Sequence, residues 1–256
     1  MSRSRDLAAV RTQPATTTLG TSNYRAGVNA GNSIASGGNY NVTLGDEAGT
    51  AITTGDSNTA VGYQALDANT TASNNTGVGY QALTANTTGT LNTALGRSAL
   101  ASDTKGNNSV AIGYNTLNAQ NFTSATDVYN TAVGYAAGAA VTTGVQNTFI
   151  GGLAGDANTT ADDNVAVGYL ALSANTTGGN LTAVGKGALA ANTEADNNTG
   201  IGLRALGATT TGGDNVAVGR DALLVNTTGN TNVAVGAFAL DANVAGDRNT
   251  AIGTEA

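Results

Sequence analysis

The stretch "NTAVGYQALDANTT", residues 58–71, returns 17 residues later as "NTGVGYQALTANTT" and, after 17 more, as "NTALGRSALASDTK". A glycine closes each "AVG" or its variant and marks the repeat thirteen times, at Gly45, Gly62, Gly79, Gly96, Gly113, Gly134, Gly151, Gly168, Gly185, Gly202, Gly219, Gly236 and Gly253. Eleven intervals between these marker glycines are 17 residues, and the one after Gly113 is 21. Helical repeats of about 30–47 residues are therefore excluded, and the period predicts one coil of a β-solenoid per repeat.

The composition excludes several classes of function. The chain of 256 residues has 36 Gly, only 11% charged residues, and neither Cys nor His. Without those side chains no catalytic triad or thiolate nucleophile can form, so we expect no enzyme and no cofactor. A net charge of −7 gives no footprint for nucleic acid. No stretch approaches the roughly 20 apolar residues of a membrane-spanning helix, and no membrane insertion is expected.

The columns of the repeat predict two short strands per coil, one on "TAV" and one on "ALxA". A large aliphatic residue precedes each marker glycine, as strands prefer, while Ala and usually Leu stand three and four places after it. Turns at the marker glycine and at "NTTG" would join the strands. The aliphatic column predicts a structural core made of Val61, Val78, Leu95, Ile112, Val133, Ile150, Val167, Val184, Ile201, Val218, Val235 and Ile252.

Two further columns predict hydrogen-bonded ladders. Asn stands four places before the marker glycine in eleven of thirteen coils, with Ser109 and Leu181 as the departures. Identical Asn side chains stacked coil on coil can bond to one another, and the Thr columns after "AN" can do the same. The marker glycine itself is expected to adopt a conformation closed to a residue with a Cβ.

A single coil of this composition is too thin to be stable alone. Two large apolar side chains per coil are few compared with the conformational entropy that 17 ordered residues lose. We therefore expect a parallel homotrimer in which aliphatic columns of the chains meet on a common axis. Which column faces the interior of the coil and which faces the axis stays open.

The units "NSVAIG" (108–113), "NVAVG" (164–168) and "NTAVG" (58–62) resemble the repeat in the head domains of trimeric autotransporter adhesins. That resemblance implies an all-β, left-handed parallel β-roll, assembled as a trimer that adheres to host surfaces. The longer form "NTAVGYQALxxNTTG" is similar to arrays in tail-fibre and related virion proteins of bacteriophages, especially marine ones. The match runs from about residue 41 to the end.

The first forty residues favour a resemblance to the phage fibre proteins over one to the autotransporter adhesins. The opening "MSRSRDLAAVRTQ" has no apolar signal-peptide core, and neither a coiled-coil stalk nor a membrane anchor is expected. It is similar to the segments that fix phage fibres in the virion. The expected domains are an irregular segment at 1–40, which either anchors the chain through Arg3, Arg5 and Arg11 or is a disordered tail, and a β-roll of about 13 coils at 41–256.

The resemblance implies a structural and adhesive virion fibre, on the tail or capsid, whose partners are its own copies, other virion proteins and host glycans or a receptor. A bacterial adhesin head and, from another class, an ice-binding solenoid are the alternatives. Possible ligand contacts lie in the column after the marker glycine, which mixes tyrosines with Arg97, Lys186 and Arg220, and in the 21-residue interval. They are Tyr63, Tyr80, Tyr114, Tyr135, Tyr169, Phe122 and Tyr129. Surface or interchain packing of the column, and a merely tolerated insertion, are the competing interpretations.

Carboxylates offer no metal site in this pattern. The motif "GGD" at 212–214 occurs once, whereas calcium-binding repeats need it many times. Asp162 and Asp163 are adjacent in a segment read as a solvated turn. No metal ligand is therefore expected.

Overall fold

A computed structural model describes residues 20–256, and over that range the chain forms sixteen short β-strands without a helix. The strands are β1 Tyr24–Ala26, β2 Val42–Leu44, β3 Thr59–Val61, β4 Thr76–Val78, β5 Thr93–Leu95, β6 Gly106–Asn107, β7 Val110–Ile112, β8 Thr126–Asp127, β9 Thr131–Val133, β10 Thr148–Ile150, β11 Val165–Val167, β12 Thr182–Val184, β13 Thr199–Ile201, β14 Val216–Val218, β15 Val233–Val235 and β16 Thr250–Ile252.

Fourteen of the strands form one parallel sheet in which each coil contributes one strand. Neighbouring coils pair in strict register, so that Ala60 lies opposite Gly77 and Val61 opposite Val78. β6 and β8 form a separate two-stranded sheet beside the 21-residue interval. The predicted parallel β-solenoid with 17-residue coils is confirmed, while its handedness and the trimer stay predictions.

The sheet begins earlier than the expected domain boundary at residue 40. β1 pairs with β2, and Asn23 Oδ1 accepts a hydrogen bond of 2.8 Å from the Asn41 amide, as in later coils. Two features concealed this coil in the sequence. Its marker glycine, Gly27, lies 18 rather than 17 residues before Gly45, and Arg25 stands in a column of mostly small residues. The repeat therefore extends at least to Tyr24, and Arg3, Arg5 and Arg11 lie outside the described residues.

Each strand of the fourteen-stranded sheet ends just before its marker glycine, and the backbone at that glycine leaves no room for a side chain. Gly62 has φ +126°, and a Cβ on it would lie 2.5 Å from the carbonyl oxygen of Gly79 in the next coil. An L-residue would be strained by the dihedral angle and would clash with that carbonyl. The expectation of a conformation closed to side chains is confirmed.

The prediction of a second strand on "ALxA" is wrong, because the structure has no strand there. Gln64 and Leu66 both have left-handed backbones, with φ +54° and +52°, and the alternation bends the chain around the coil. The segment still bonds to the next coil, since the Leu66 amide donates to Ala82 O at 3.0 Å. Leucine rarely adopts this conformation, and here it does so with its side chain fully buried.

The apolar half of the interior consists of the Ala60, Ala65 and Leu66 columns, whose side chains are fully buried except near the C-terminal end, where Leu240 and Ala251 are partly buried. Successive strand residues face opposite sides of a sheet, so the column before the marker glycine lies on the outer face. The predicted core residues therefore face away from the interior of one chain's coil, which answers for a single chain what the sequence left open. They are Val61, Val78, Leu95, Ile112, Val133, Ile150, Val167, Val184, Ile201, Val218, Val235 and Ile252. Whether a second chain covers them stays a prediction.

The polar half of the interior contains two neighbouring Asn ladders. In the ladder before the strands, Asn58 Oδ1 accepts from the Asn75 amide at 3.0 Å, and Asn58 Nδ2 donates to Ala72 O at 2.8 Å. In the second ladder, Asn86 Nδ2 donates to Asn69 Oδ1 at 3.0 Å. Asn69 Nδ2 also reaches Ala72 O, at 3.1 Å. The Asn prediction is confirmed, and the two ladders share backbone acceptors.

The Thr ladder also forms, with a different acceptor from the one expected. Thr70 Oγ1 donates to Thr87 O at 3.2 Å, and Thr87 Oγ1 donates to Thr104 O at 2.9 Å. Each hydroxyl thus bonds to the backbone of the next coil rather than to the next hydroxyl. These bonds fasten the turn after the second Asn ladder.

Phe149 replaces two leucines of the apolar core. It stands in the column of Ala60, where it is fully buried. The leucine column has Gly155 in the coil of Phe149 and Gly138 in the coil before it, and a Cβ on Gly155 or Gly138 would lie 2.5 or 2.8 Å from the Phe149 ring. One aromatic ring thus fills the space that two leucine side chains occupy elsewhere.

Near the 21-residue interval an acidic side chain takes over part of the second ladder. Asp103 is fully buried, and its Oδ2 accepts from Gln120 Nε2 at 2.6 Å. Its Oδ1 accepts from the Gly106 and Phe122 amides at 3.0 and 3.2 Å. The longer Gln120 also reaches Ser109 Oγ at 3.1 Å, which compensates for the missing Asn of the first ladder.

Asp156 is expected to weaken the fold at neutral pH. Its Oδ1 is buried without a hydrogen-bond partner, and burial raises the pKa of the carboxyl above its ordinary value of 3.8. A raised pKa means that the protonated form favours folding and that this contribution is lost as the pH rises through the folded-state pKa. Asp156→Ser, which matches Ser173 one coil on, should therefore melt at a higher temperature near neutral pH.

The same comparison well below pH 3.8 provides the control, because Asp156 is then protonated in both the folded and the unfolded state. The difference between the melting temperatures should disappear there. Equal melting temperatures at neutral pH would contradict the burial of an unsatisfied charge.

Candidate functional site: an aromatic and cationic column

The residue after each marker glycine lies just beyond a strand, where the glycine turns the chain away from the sheet. Thirteen residues occupy this position, and we call the eleven between Asp46 and Thr254 the aromatic column: Tyr63, Tyr80, Arg97, Tyr114, Tyr135, Gly152, Tyr169, Lys186, Leu203, Arg220 and Ala237. Coils in register are about 4.8 Å apart. That spacing brings side chains of adjacent coils within stacking distance.

Five consecutive members of the aromatic column form one continuous stack. The ring centroids of Tyr63 and Tyr80 are 5.4 Å apart, and those of Tyr114 and Tyr135 are 5.5 Å apart. Between the two pairs, Arg97 Cζ lies 5.4 Å from the Tyr80 centroid and 5.7 Å from the Tyr114 centroid. Cation–π and stacked aromatic contacts of this kind each add modest stability.

Stacking changes what these tyrosines can offer to a ligand. All four remain 42–60% exposed, yet the faces of Tyr80 and Tyr114 are covered by their neighbours on both sides. A sugar ring that binds by face-on stacking therefore cannot reach these inner faces. The stack presents ring edges and hydroxyl groups, which can donate and accept hydrogen bonds.

The column is interrupted after Tyr135. Gly152 contributes no side chain, and Tyr169 begins a second group in which Lys186 Nζ lies 6.0 Å from the Tyr169 centroid. Further on, Arg220 Cζ lies 4.4 Å from the Phe238 centroid, although Phe238 belongs to the neighbouring column. Tyr169 is therefore not part of the five-membered stack.

The two aromatic residues of the 21-residue interval do not join this column. Phe122 is 7% exposed and packs into the coil beside Asp103, so it is not a surface contact, and that interpretation is corrected. Residues 123–125 are exposed and form the expected surface loop. Tyr129 is 55% exposed, but it precedes β9 whereas Tyr135 follows it. The two lie at opposite ends of one strand.

Acidic groups at the start of the column affect its first tyrosine. The negative charge of Glu47 and, to a smaller extent, partial burial raise the pKa of Tyr63 above its ordinary value. The phenol is therefore held in its neutral, hydrogen-bonding form over a wider pH range. Glu47 in turn accepts a hydrogen bond of 2.7 Å from Gln64 Nε2.

The remaining acidic residues that the sequence singled out have structural partners. Asp162 Oδ1 accepts from the Val145 amide at 2.7 Å, and Asp214 Oδ1 accepts from Asn197 Nδ2 at 3.1 Å. Within residues 20–256, no three acidic side chains lie close enough together to hold a metal ion. No helix in the same range is long and apolar enough to cross a membrane.

An apolar depression in the surface lies next to Tyr169 and was not foreseen from the sequence. It has a volume of about 560 Å³ and lies among Leu170, Lys186, Gly187, Leu203, Arg204 and Leu224, with further small residues beneath. Two of the residues that line it, Gly187 and Gly207, look like ordinary variation in the repeat. Only the three-dimensional arrangement of the coils shows that Gly187 and Gly207 line the same depression.

Comparison with known proteins leaves the resemblances to adhesin heads and phage fibres as predictions. No protein-family model matches the chain, and no curated protein and no solved structure is significantly similar to it. The function therefore has to be proposed from the geometry.

Proposed function

We propose that the protein is a structural and adhesive fibre of a bacteriophage virion, a stiff trimeric rod that takes part in host attachment. The observation that supports the proposal best is the outer face of the fourteen-stranded sheet. Along this face the column before the marker glycine exposes large aliphatic side chains, for example Leu44 at 41%, Leu95 at 46% and Ile150 at 40%. A continuous apolar column of this length is typical of an interaction surface.

The dimensions of the face fit contact between copies of the chain. Thirteen spacings of about 4.8 Å and a strand of three residues give a stripe roughly 60 Å long and 10 Å wide. Its area is on the order of 600 Å², against about 800 Å² per partner in a typical stable interface. A stripe so narrow lets three parallel chains meet around one axis, where each chain contacts both others.

The interior supports a role as a rod. Two Asn ladders and a Thr ladder tie every coil to the next with bonds such as Asn58 Oδ1 to the Asn75 amide, in addition to the sheet. The exposed edges of the aromatic column then provide surface for host glycans. Other virion proteins would hold the N-terminal segment, at the tail or the capsid.

The assembly can be tested with charges on the outer face. Val167→Asp together with Val184→Asp should abolish the trimer, because adjacent carboxylates would be buried at the axis. Both valines face outward in one chain, so the substitutions leave the interior of the coil unchanged, and a loss of the trimer or of the fold would come from the outer face. Thr177→Asp together with Thr211→Asp adds the same charge in the exposed turn that already has Glu194, and should leave the trimer intact. A double-valine variant that remains trimeric with an unchanged melting temperature would refute this interface.

The biological role can be tested by immuno-electron microscopy of phage particles with antibody to the chain. Label on fibres of the tail or the capsid surface is the expected result. Label on the surface of bacterial cells, and none on particles, would favour the adhesin head instead.

An ice-binding solenoid is a second candidate, favoured by one observation. Thr59, Thr76 and Thr93 stand in register on the outer face, opposite one another in adjacent strands. The row is interrupted by valines such as Val110 and Val165 and alternates with aliphatic residues rather than with a second Thr. An assay without thermal hysteresis at high protein concentration would eliminate this candidate.

A further inference from the structure

We infer that the depression beside Tyr169 is a binding site for a small amphipathic anion, a ligand with an apolar body and one negatively charged group. The volume of about 560 Å³ lies within the range of ordinary small-molecule sites, which are mostly apolar with a few polar groups. The site is formed within one chain and does not depend on the proposed role as a fibre.

The depression exists because Gly187 leaves one position without a side chain in an otherwise filled column, while Gly207 lies nearby in closer contact with Arg204 and Leu224. Gly187 occupies the column of Leu170 and Arg204, and Gly207 occupies the column of Leu224. A Cβ on Gly187 would meet only Arg204 Cγ, at 3.6 Å, so the space above this glycine is open. An apolar group can therefore lie on Gly187, between the leucines of adjacent coils.

The walls of the depression present apolar side chains that the chain itself leaves partly uncovered. Leu203 is 41% exposed and Val225 is 37% exposed, and Leu170 and Leu224 are half-buried. Covering these surfaces with an apolar ring removes them from water, which favours binding roughly in proportion to the area covered.

Two cations lie at the rim, and the one without a carboxylate partner gives the site its charge preference. Arg204 is held by Asp221, with Nε to Oδ1 at 2.8 Å and Nη2 to Oδ2 at 2.9 Å, which leaves Nη1 available. The Lys186 ammonium is exposed beside the Tyr169 ring, and no carboxylate of residues 20–256 lies within 4.0 Å of it. One ammonium without a carboxylate partner, above an apolar floor, matches a single negative charge on an apolar ligand.

A second copy of the chain is the other conceivable occupant, and the repeat argues against it. Contact between copies along the rod has to recur in every coil, as the outer sheet face does. The depression is confined to the few coils between Leu170 and Val225. A local departure from the repeat indicates a discrete ligand.

The test is titration of the full chain with 8-anilinonaphthalene-1-sulfonate, followed by fluorescence and calorimetry. Gly187→Leu fills the site with the residue that Leu170 supplies one coil earlier at φ +58°, so the backbone is compatible. Binding should become at least about tenfold weaker because the apolar body is displaced. Ser98→Leu places a leucine in the same column outside the depression and should leave binding unchanged.

The charge is tested separately with a neutral analogue, N-phenyl-1-naphthylamine. Lys186→Gln should weaken the sulfonate by about fivefold, as expected for one exposed ion pair, and should not change binding of the neutral compound. The exposed Lys186 also keeps the test valid if Gly187→Leu fails to fold.

Three results would overturn the inference. The first is unchanged affinity of Gly187→Leu for the sulfonate dye. The second is an equal loss of affinity for the sulfonate and the neutral compound in Lys186→Gln. The third is a changed oligomeric mass of Gly187→Leu with unchanged affinity for the dye.

Discussion

Phe149→Ala should lower the free energy of unfolding by about 3–5 kcal/mol, as expected when a buried aromatic side chain is truncated. The ring is fully buried and fills the positions of two leucine side chains, above Gly138 and Gly155. Its removal leaves a cavity that those glycines cannot fill. Thermal and denaturant unfolding followed by circular dichroism would measure the loss.

Restoring the two leucines should recover most of that stability. Leucine fits the backbone at these positions, because Gly155 has φ +57° and Leu66 in the same column has φ +52°. The triple variant Phe149→Ala, Gly138→Leu, Gly155→Leu rebuilds the packing of the ordinary coils. Gly155→Leu alone should instead destabilise the chain, since its Cβ would lie 2.5 Å from the Phe149 ring. If the triple variant were no more stable than Phe149→Ala, the interpretation that Phe149 takes the place of two leucine side chains would be wrong.

Asn215→Asp should cost about 3–5 kcal/mol, the usual effect of an unpaired charge in an interior. Asn215 is fully buried, and its Nδ2 donates to Asn198 Oδ1 at 3.1 Å and to Gly229 O at 2.9 Å. A carboxylate would place an oxygen against both acceptors. Unfolding of the variant in denaturant, compared with the natural chain, would measure the cost.

Asn215→Ser is the matched control, because Ser109 already occupies this column in another coil. It removes the bonds that the Asn232 amide and Nδ2 donate to Asn215 Oδ1 without adding a charge. We expect a smaller loss of about 1–3 kcal/mol. Equal losses in both variants would mean that the ladder tolerates charge.

The period and the polar columns made the coil predictable. Gly62 and Asn58 recur because a coil-to-coil contact requires them, one for space and the other for its bonds. The left-handed backbone of Leu66 was hidden, since leucine gives no local sign of it. The signal was glycine at the same position in other coils, as at Gly49 and Gly138.

The candidate site was only partly predictable, for a similar reason. A column with Tyr63 and Arg97 in it had to face water, and it does. The rings cover one another's faces because adjacent coils are close together, and the sequence alone does not show that spacing. The inward orientation of Phe122 and the adjacency of Gly187 and Gly207 depend on three-dimensional packing in the same way.

The mass of the natural chain in solution tests the central claim most directly, the claim that the outer sheet face joins three parallel copies. Native mass spectrometry and sedimentation equilibrium should give three chains of 25.0 kDa, about 75 kDa in all. A well-folded monomer of 25.0 kDa at micromolar concentration would contradict the account.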